Sequence, residues 1–145
     1  MGSASARPER VVLDTNVLAS ALAFGGVPQV VVGLGRAGEF AVYSSPFILG
    51  ELSAVLASRK FRWGRAEIEE GLRELRSFIT VIEPPVGVDV ITADDQDNRI
   101  LECGLAAGAA VIITGNMKHI RPLGVFRGIA IMTPREFIDG FFPSL

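Results

Sequence analysis

The sequence predicts an α/β domain of three layers, with helices on both faces of a mostly parallel central sheet. Three observations point there. Short apolar runs bounded by turn residues alternate with amphipathic stretches of helical length from Arg10 onward. The chain has 145 residues, the size of one domain, and no linker, repeat or low-complexity tract divides it. Two of the apolar runs, VVLDTN from Val11 and VIITGN from Val111, end abruptly in polar residues, as strands do where an open α/β sheet meets water.

The elements follow in order. Residues 1–9 are small and polar and are expected to be a disordered segment or a cloning remnant, with a single domain over residues 10–145. Arg10 to Leu13 is the first strand, and Asn16 to Phe24 a helix stopped by Gly25-Gly26. Pro28 suits the first turn of a second short helix. Gly33-Leu34-Gly35-Arg36-Ala37-Gly38 satisfies the Gly-x-Gly-x-x-Gly dinucleotide fingerprint, but a helix precedes it and a strand follows, the reverse of what a pyrophosphate site requires. These glycines are therefore expected to form a helix stop and turn. Glu39 to Ser44 is the second strand, and Ser45-Pro46 is a cap and first-turn pair opening a helix to about Ser58. A helix over Arg65 to Ser77 and a short strand in ITVIEPP follow. A helix from about Asp97 to Ala107, a strand from Val111 to Thr114, a strand from Ile129 to Met132 and a helix from Pro134 to about Phe142 complete the chain.

Composition excludes several chemistries. One cysteine, Cys103, permits neither an internal disulfide nor a Cys-x-x-Cys site, and its apolar neighbours mark it as a buried small hydrophobe. The one histidine, His119, removes multi-histidine zinc sites, and no Gly-x-Ser-x-Gly elbow supports a serine triad. Apolar runs are far too short to cross a bilayer, so no membrane is expected and the location is expected to be cytoplasmic. The formal net charge of −2 makes nucleic-acid binding a matter of local patches.

Four polar side chains are delivered toward one rim of the sheet. Asp14 ends the first strand and Asn116 follows the strand ending in Thr114-Gly115. Glu51 lies beside Val55 at the edge of the apolar stripe Ile48, Leu52, Val55, Leu56. Asp97 shares a helical face with Ile100, Leu101 and Gly104, whereas Glu102 is expected to point away. Each has an ordinary alternative: Glu51 as a solvated helix flank, Asp97 as a cap favoured by the helix dipole. Asp94, Asp95 and Asp97 together exceed what one cap requires, and Arg99 with no following glycine excludes an EF-hand loop. Crowded carboxylates repel unless a cation neutralises them. Hard oxygen ligands with room for water suit Mg2+ or Mn2+, and such ions activate water against phosphodiesters.

At these residues the chain resembles the PIN-domain ribonucleases, of the kind that form the toxin of type II (VapC-like) toxin–antitoxin pairs. The resemblance rests on VVLDTNVLASAL, SSPFILGELSAVLASRKF, DDQDNRILECGLAAGAAVIITGN and GIAIMTPREFI, in that order and spacing, and covers almost everything after Arg10. It implies a PIN-like α/β/α fold and a metal-dependent endoribonuclease that hydrolyses RNA and is neutralised by a cognate antitoxin. It also implies a homodimer. By the same resemblance Asp14, Glu51 and Asp97 are catalytic ion ligands, with Asn16 and Thr114 as their hydrogen-bond partners. The fourth ligand position departs, holding Asn116 where Asp is commoner. The TGNMKH form resembles a subgroup that carries Asn there. An amide oxygen can still coordinate magnesium without adding charge, so affinity for a second ion is expected to fall, with Asp94 or Asp95 as compensating ligands.

Substrate contacts are expected from Lys118 and His119, near the rim, with His119 also a candidate general acid. SRKFRWGR adds Arg59, Lys60 and Arg62, with Arg65, interleaved with Phe61 and Trp63, so that cations could meet phosphates while bases stack. The same segment equally suits a helix C-terminus with its favourable cations and aromatics docked on the protein. Two other classes compete: a catalytically weak PIN domain serving as an RNA-binding or protein-interaction module, and a haloacid-dehalogenase-like phosphatase. The latter wants Asp two residues after Asp14, where Asn16 stands.

Overall fold

The computed structural model describes residues 7–84 and 95–145. Among them the order is β1 (Arg10–Leu13), α1 (Thr15–Ala23), α2 (Gly26–Arg36), β2 (Ala41–Ser44), α3 (Pro46–Ala57), α4 (Arg65–Arg76), β3 (Ile79–Val81), α5 (Asp95–Ala107), β4 (Val111–Ile113), β5 (Val125–Phe126), β6 (Ile129–Met132) and α6 (Pro134–Phe141), with a 3-10 turn at Arg121–Leu123 before β5. The sheet order is β3-β2-β1-β4-β6-β5. Every pairing is parallel except β5 with β6. Helices cover both faces, giving the expected α/β/α layers.

The sheet's centre explains its unbroken apolar sequences. Val11, Val12 and Leu13 in β1 and all of β4 are buried, because a strand flanked by strands and covered on both faces has no wet side. Their registers run Val11 to Val111, Val12 to Ile112 and Leu13 to Ile113. The chain leaves β1 toward β2 on one side, while β4 lies on the other, so the sheet changes direction between β1 and β4. Ligand crevices open at the carboxyl ends of such strands.

Two glycines permit close approaches that set helix positions. A Cβ on Gly104 would lie 2.6 Å from Ile112 Cδ1 and 3.1 Å from its Cγ1, so α5 sits directly on β4. Asp97 lies two turns upstream, and this contact fixes where its face of the helix meets the rim. Gly35 likewise brings α2 against Val42, where a Cβ would meet Val42 Cγ2 at 2.6 Å. That corrects the reading of the Gly33–Gly38 stretch as a stop: Gly33 and Gly35 lie inside α2, and the turn comes at Gly38, with φ +85°. The helix is stable there because packing on β2 outweighs the low propensity of glycine.

Ser45 caps α3 as expected, its hydroxyl accepting from the Ile48 amide at 3.2 Å. The strand β5 and the 3-10 turn were not expected, being too short to show periodicity. Glu102 also corrects the sequence reading. It is buried and pairs with Arg99 rather than pointing into solvent, because an Arg one turn earlier reaches over to neutralise it. Cys103 is fully buried, and burial pushes its thiol up to about 12, which fits a packing role. Among the described residues no single helix is long and apolar enough to cross a membrane.

Candidate active site

A cleft of about 250 Å³ opens at the carboxyl ends of β1 and β4, lined by Asp14, Thr15, Asn16, Glu51, Gln96, Asp97 and Asn116 over an apolar floor of Val55 and Ile100. The four rim residues singled out in the sequence thus meet in one place. Asp14 stands at the N-cap of α1, immediately after β1, and its amide donates to Ile113 O of β4 at 2.9 Å. Its side chain is buried across the same strand pair, where Thr114 Oγ1 donates to Asp14 Oδ2 at 2.7 Å. The hydroxyl of Thr114 also accepts from the Asn116 amide at 2.9 Å, so one buried side chain holds both strand ends.

Glu51 reaches the cleft half-buried from α3, and Thr15 Oγ1 donates to its Oε1 at 2.6 Å. Sequence reasoning missed Thr15. Its signal was position: a hydroxyl at the first turn of the helix that begins beside Asp14. Asn16, expected to support the ligands, lines the cleft from an exposed position. Thr114 does make the hydrogen bond expected of it. Asp95 is exposed, pairs with Arg99 at 3.4 Å and is not among the residues that line the cleft. Asp94 lies outside the described residues.

Burial raises the Asp14 carboxyl from an ordinary 3.8 to about 6, with Asp97 and Glu51 adding to the rise while the Thr114 hydroxyl and Thr15 backbone amide oppose it. An acid held partly protonated near neutrality beside two other carboxylates is a place where a cation is favoured over a proton. The donor chemistry, three carboxylates with polar neighbours and open volume, fits a hydrated hard divalent ion that keeps several waters. The carboxylates line the cleft without closing on a point: among the described residues no three His, Cys, Asp or Glu side chains are gathered as a ready-made ion site.

Residues 10–118 match the family profile of the PIN domain. The chain belongs to the PIN domain family. A sequence search of curated proteins finds no match. Among solved structures, this PIN domain is similar to a chain of VapBC2 from Rickettsia felis bound to a DNA fragment from their promoter, with a TM-score of 0.58 and 16% identity over 84% of this chain and 96% of that one. At that identity the likeness is one of fold.

Asn116 sits in this PIN domain differently from the ligand role expected of it. Its Oδ1 accepts from the amides of Lys118 at 3.1 Å and His119 at 2.9 Å, while its Nδ2 donates to Asp97 Oδ1 at 3.0 Å. Two N–H groups on one side and a carboxylate on the other leave only one orientation for the amide. The oxygen that was to meet an ion is already taken by its own loop. Lys118 and His119 are exposed beside the cleft without lining it. Arg59, Lys60 and Arg62 are exposed in the turn beyond α3, with Lys60 Nζ 5.5 Å over the Phe61 ring and Phe61 5.2 Å from the exposed Phe24. Phe61 and Trp63 pack partly on the core, as the docking alternative supposed, and the cations remain at the surface.

Proposed function

We propose that this PIN domain is a divalent-metal-dependent endoribonuclease and the toxin of a VapC-like toxin–antitoxin pair, acting in the cytoplasm. The observation that carries the reading is the convergence of Asp14, Glu51 and Asp97 on one cleft at the sheet's change of direction. Membership of a family whose members are generally nucleases supports it. The fold likeness to VapBC2 on its promoter fragment supports an antitoxin partner.

Asp14, Glu51 and Asp97 are the residues that would hold Mg2+ or Mn2+. The chemistry such an ion supplies when bound is polarisation of a phosphodiester and acidification of an attacking water. Thr114 and Thr15 orient Asp14 and Glu51 through their hydroxyls. Lys118 and His119, exposed on the loop beside the cleft, are the proposed phosphate contacts, and His119 is the proposed general acid for the leaving oxygen. Arg59, Lys60 and Arg62 add a second, more distant contact to the RNA backbone.

The test is cleavage of a mixed panel of single-stranded and structured RNAs with Mg2+, with Mn2+ and with chelator, using Asp14→Asn as control and DNA as competitor. Ion-dependent RNA cleavage absent from the variant supports the reading. RNA binding without cleavage at any ion concentration would replace it with the second reading, a catalytically weak RNA-binding or protein-interaction module. The specific observation in favour of that alternative is that, among the described residues, the carboxylates that share the cleft do not close on a single point.

A further inference from the structure

We infer that Asn116 is a positioning residue: its carboxamide clamps Asp97 to the loop of Lys118 and His119, and it does so as a hydrogen-bond donor rather than as an ion ligand. The inference deepens the proposed function, since the value of fixing Asp97 rests on Asp97 being an ion ligand. The clamp itself stands on geometry alone.

The side chain divides its bonding cleanly. Its oxygen is occupied by two backbone amides of residues 118 and 119, and its nitrogen spans to Asp97 Oδ1 on α5. Its own amide is held by Thr114 Oγ1, the hydroxyl that also donates to Asp14. Downstream, Asn116 O accepts from the Arg121 amide at 2.9 Å, and the Arg121 guanidinium makes two bonds of 2.8 Å to Glu136 on α6. The loop is therefore anchored on both sides of Asn116, and a rigid amide at its centre transmits that order to Asp97. A carboxylate at position 116 would keep the acceptor for the loop amides and lose the donor to Asp97. Ligand and clamp thus demand different atoms at the same place: an ion would need an oxygen beside Asp97, where the clamp needs an N–H.

The experiment separates the two functions of the side chain in ion-free protein, so that it does not depend on cleavage. Unfolding by urea is measured in chelator near neutral pH for wild type, Asn116→Asp, Asn116→Ala, Asp97→Ala and the Asn116→Ala/Asp97→Ala double variant. A donor bond to a carboxylate predicts non-additivity of about tenfold or more in the unfolding equilibrium constant. It also predicts that Asn116→Asp is no more stable than Asn116→Ala, although it retains the loop's acceptor. Additive single effects, or Asn116→Asp matching wild type, would overturn the clamp and leave only a loop cap. Calorimetry with Mn2+ alone then reads the second half: Asn116→Ala should weaken the ion by several-fold in the Asp97 background and have no further effect once Asp97 is Ala. An equal loss in both backgrounds would make Asn116 a ligand in its own right. If these results hold while no RNA is cut, the clamp stands and the nuclease reading falls.

Discussion

Asp14→Asn should make the ion-free protein more stable near neutral pH, although it removes a residue on which activity is proposed to depend. A carboxyl whose folded pKa lies above its unfolded value binds its proton more tightly when folded, so stability falls as the pH rises from about 3.8 through about 6 and the full penalty persists above that. Each pH unit of displacement is worth about 1.4 kcal/mol, which places the cost of ionising Asp14 at about 3 kcal/mol. Asparagine imitates the protonated form: it is neutral, of the same shape, and keeps an oxygen to accept from Thr114. The variant should therefore gain up to about 3 kcal/mol at about pH 7.5 and less than about 1 kcal/mol near pH 4.

Urea unfolding in chelator across that pH range measures this directly, because other titrating groups are common to both proteins and cancel in the difference. Adding Mg2+ should then reverse the order. An ion at a thousand times its dissociation constant stabilises the folded state by about 4.1 kcal/mol, more than the variant's gain, and the variant lacks one of the ligands that would hold it. A difference between the two proteins that does not change with pH would refute the account of Asp14 as a carboxyl strained by burial. A difference that does not respond to Mg2+ would refute its role as a ligand.

Three further outcomes are expected. Thr15→Val, which keeps shape and removes the hydroxyl bonded to Glu51, should lower RNA cleavage by about tenfold while changing stability by less than about 1.5 kcal/mol; unchanged cleavage with the fold intact would remove Thr15 from the site. Gly104→Ala should destabilise by about 1–3 kcal/mol, read from the urea midpoint, because the new Cβ meets Ile112 on β4; a neutral effect would mean that α5 can lift from the sheet freely. Arg59→Ala with Arg62→Ala should weaken RNA binding and flatten its salt dependence, each lost phosphate contact reducing the number of released counterions; unchanged affinity and slope would assign the segment to packing alone.

The elements and the cleft were legible because they depend on period and order. The ends of β1 and β4 announce themselves as apolar runs stopped by polar residues, and their adjacency in the sheet brings Asp14 and Thr114 within hydrogen-bonding distance. Glu51 and Asp97 were legible because each keeps helical phase with an apolar stripe. What could not be read is what depends on which atom of a side chain faces which neighbour. Glu102 keeps the wrong phase for burial and is buried because Arg99 covers it. Gly33 and Gly35 look like a stop but lie inside α2, and Gly35 lets that helix approach β2. Thr15 was passed over because its partner lies 36 residues away. Asn116 has ligand chemistry in its sequence position, and only the fold shows its oxygen spent on the amides of Lys118 and His119.

That last point bears on why an amide stands at the fourth position at all. Asp14 already ionises with difficulty, and Asp97 and Glu51 both contribute to that difficulty. A fourth carboxylate in place of the Asn116 amide would lie against Asp97 Oδ1, where nitrogen and oxygen are now 3.0 Å apart. Two like charges at about 4 Å repel by roughly 4 kcal/mol at an effective dielectric near 20, a large share of the stability of a small domain. Such a site would depend on its ion to hold α5 and the β4 loop together. With the amide, the same contact is attractive before any ion arrives, and the loop carrying Lys118 and His119 is ordered by the same side chain. The exchange gives up charge that would favour a second ion and gains a cleft whose parts are in place without one. On the proposed function, an ion would be held by Asp14, Glu51 and Asp97, with Asp97 already fixed in direction by Asn116.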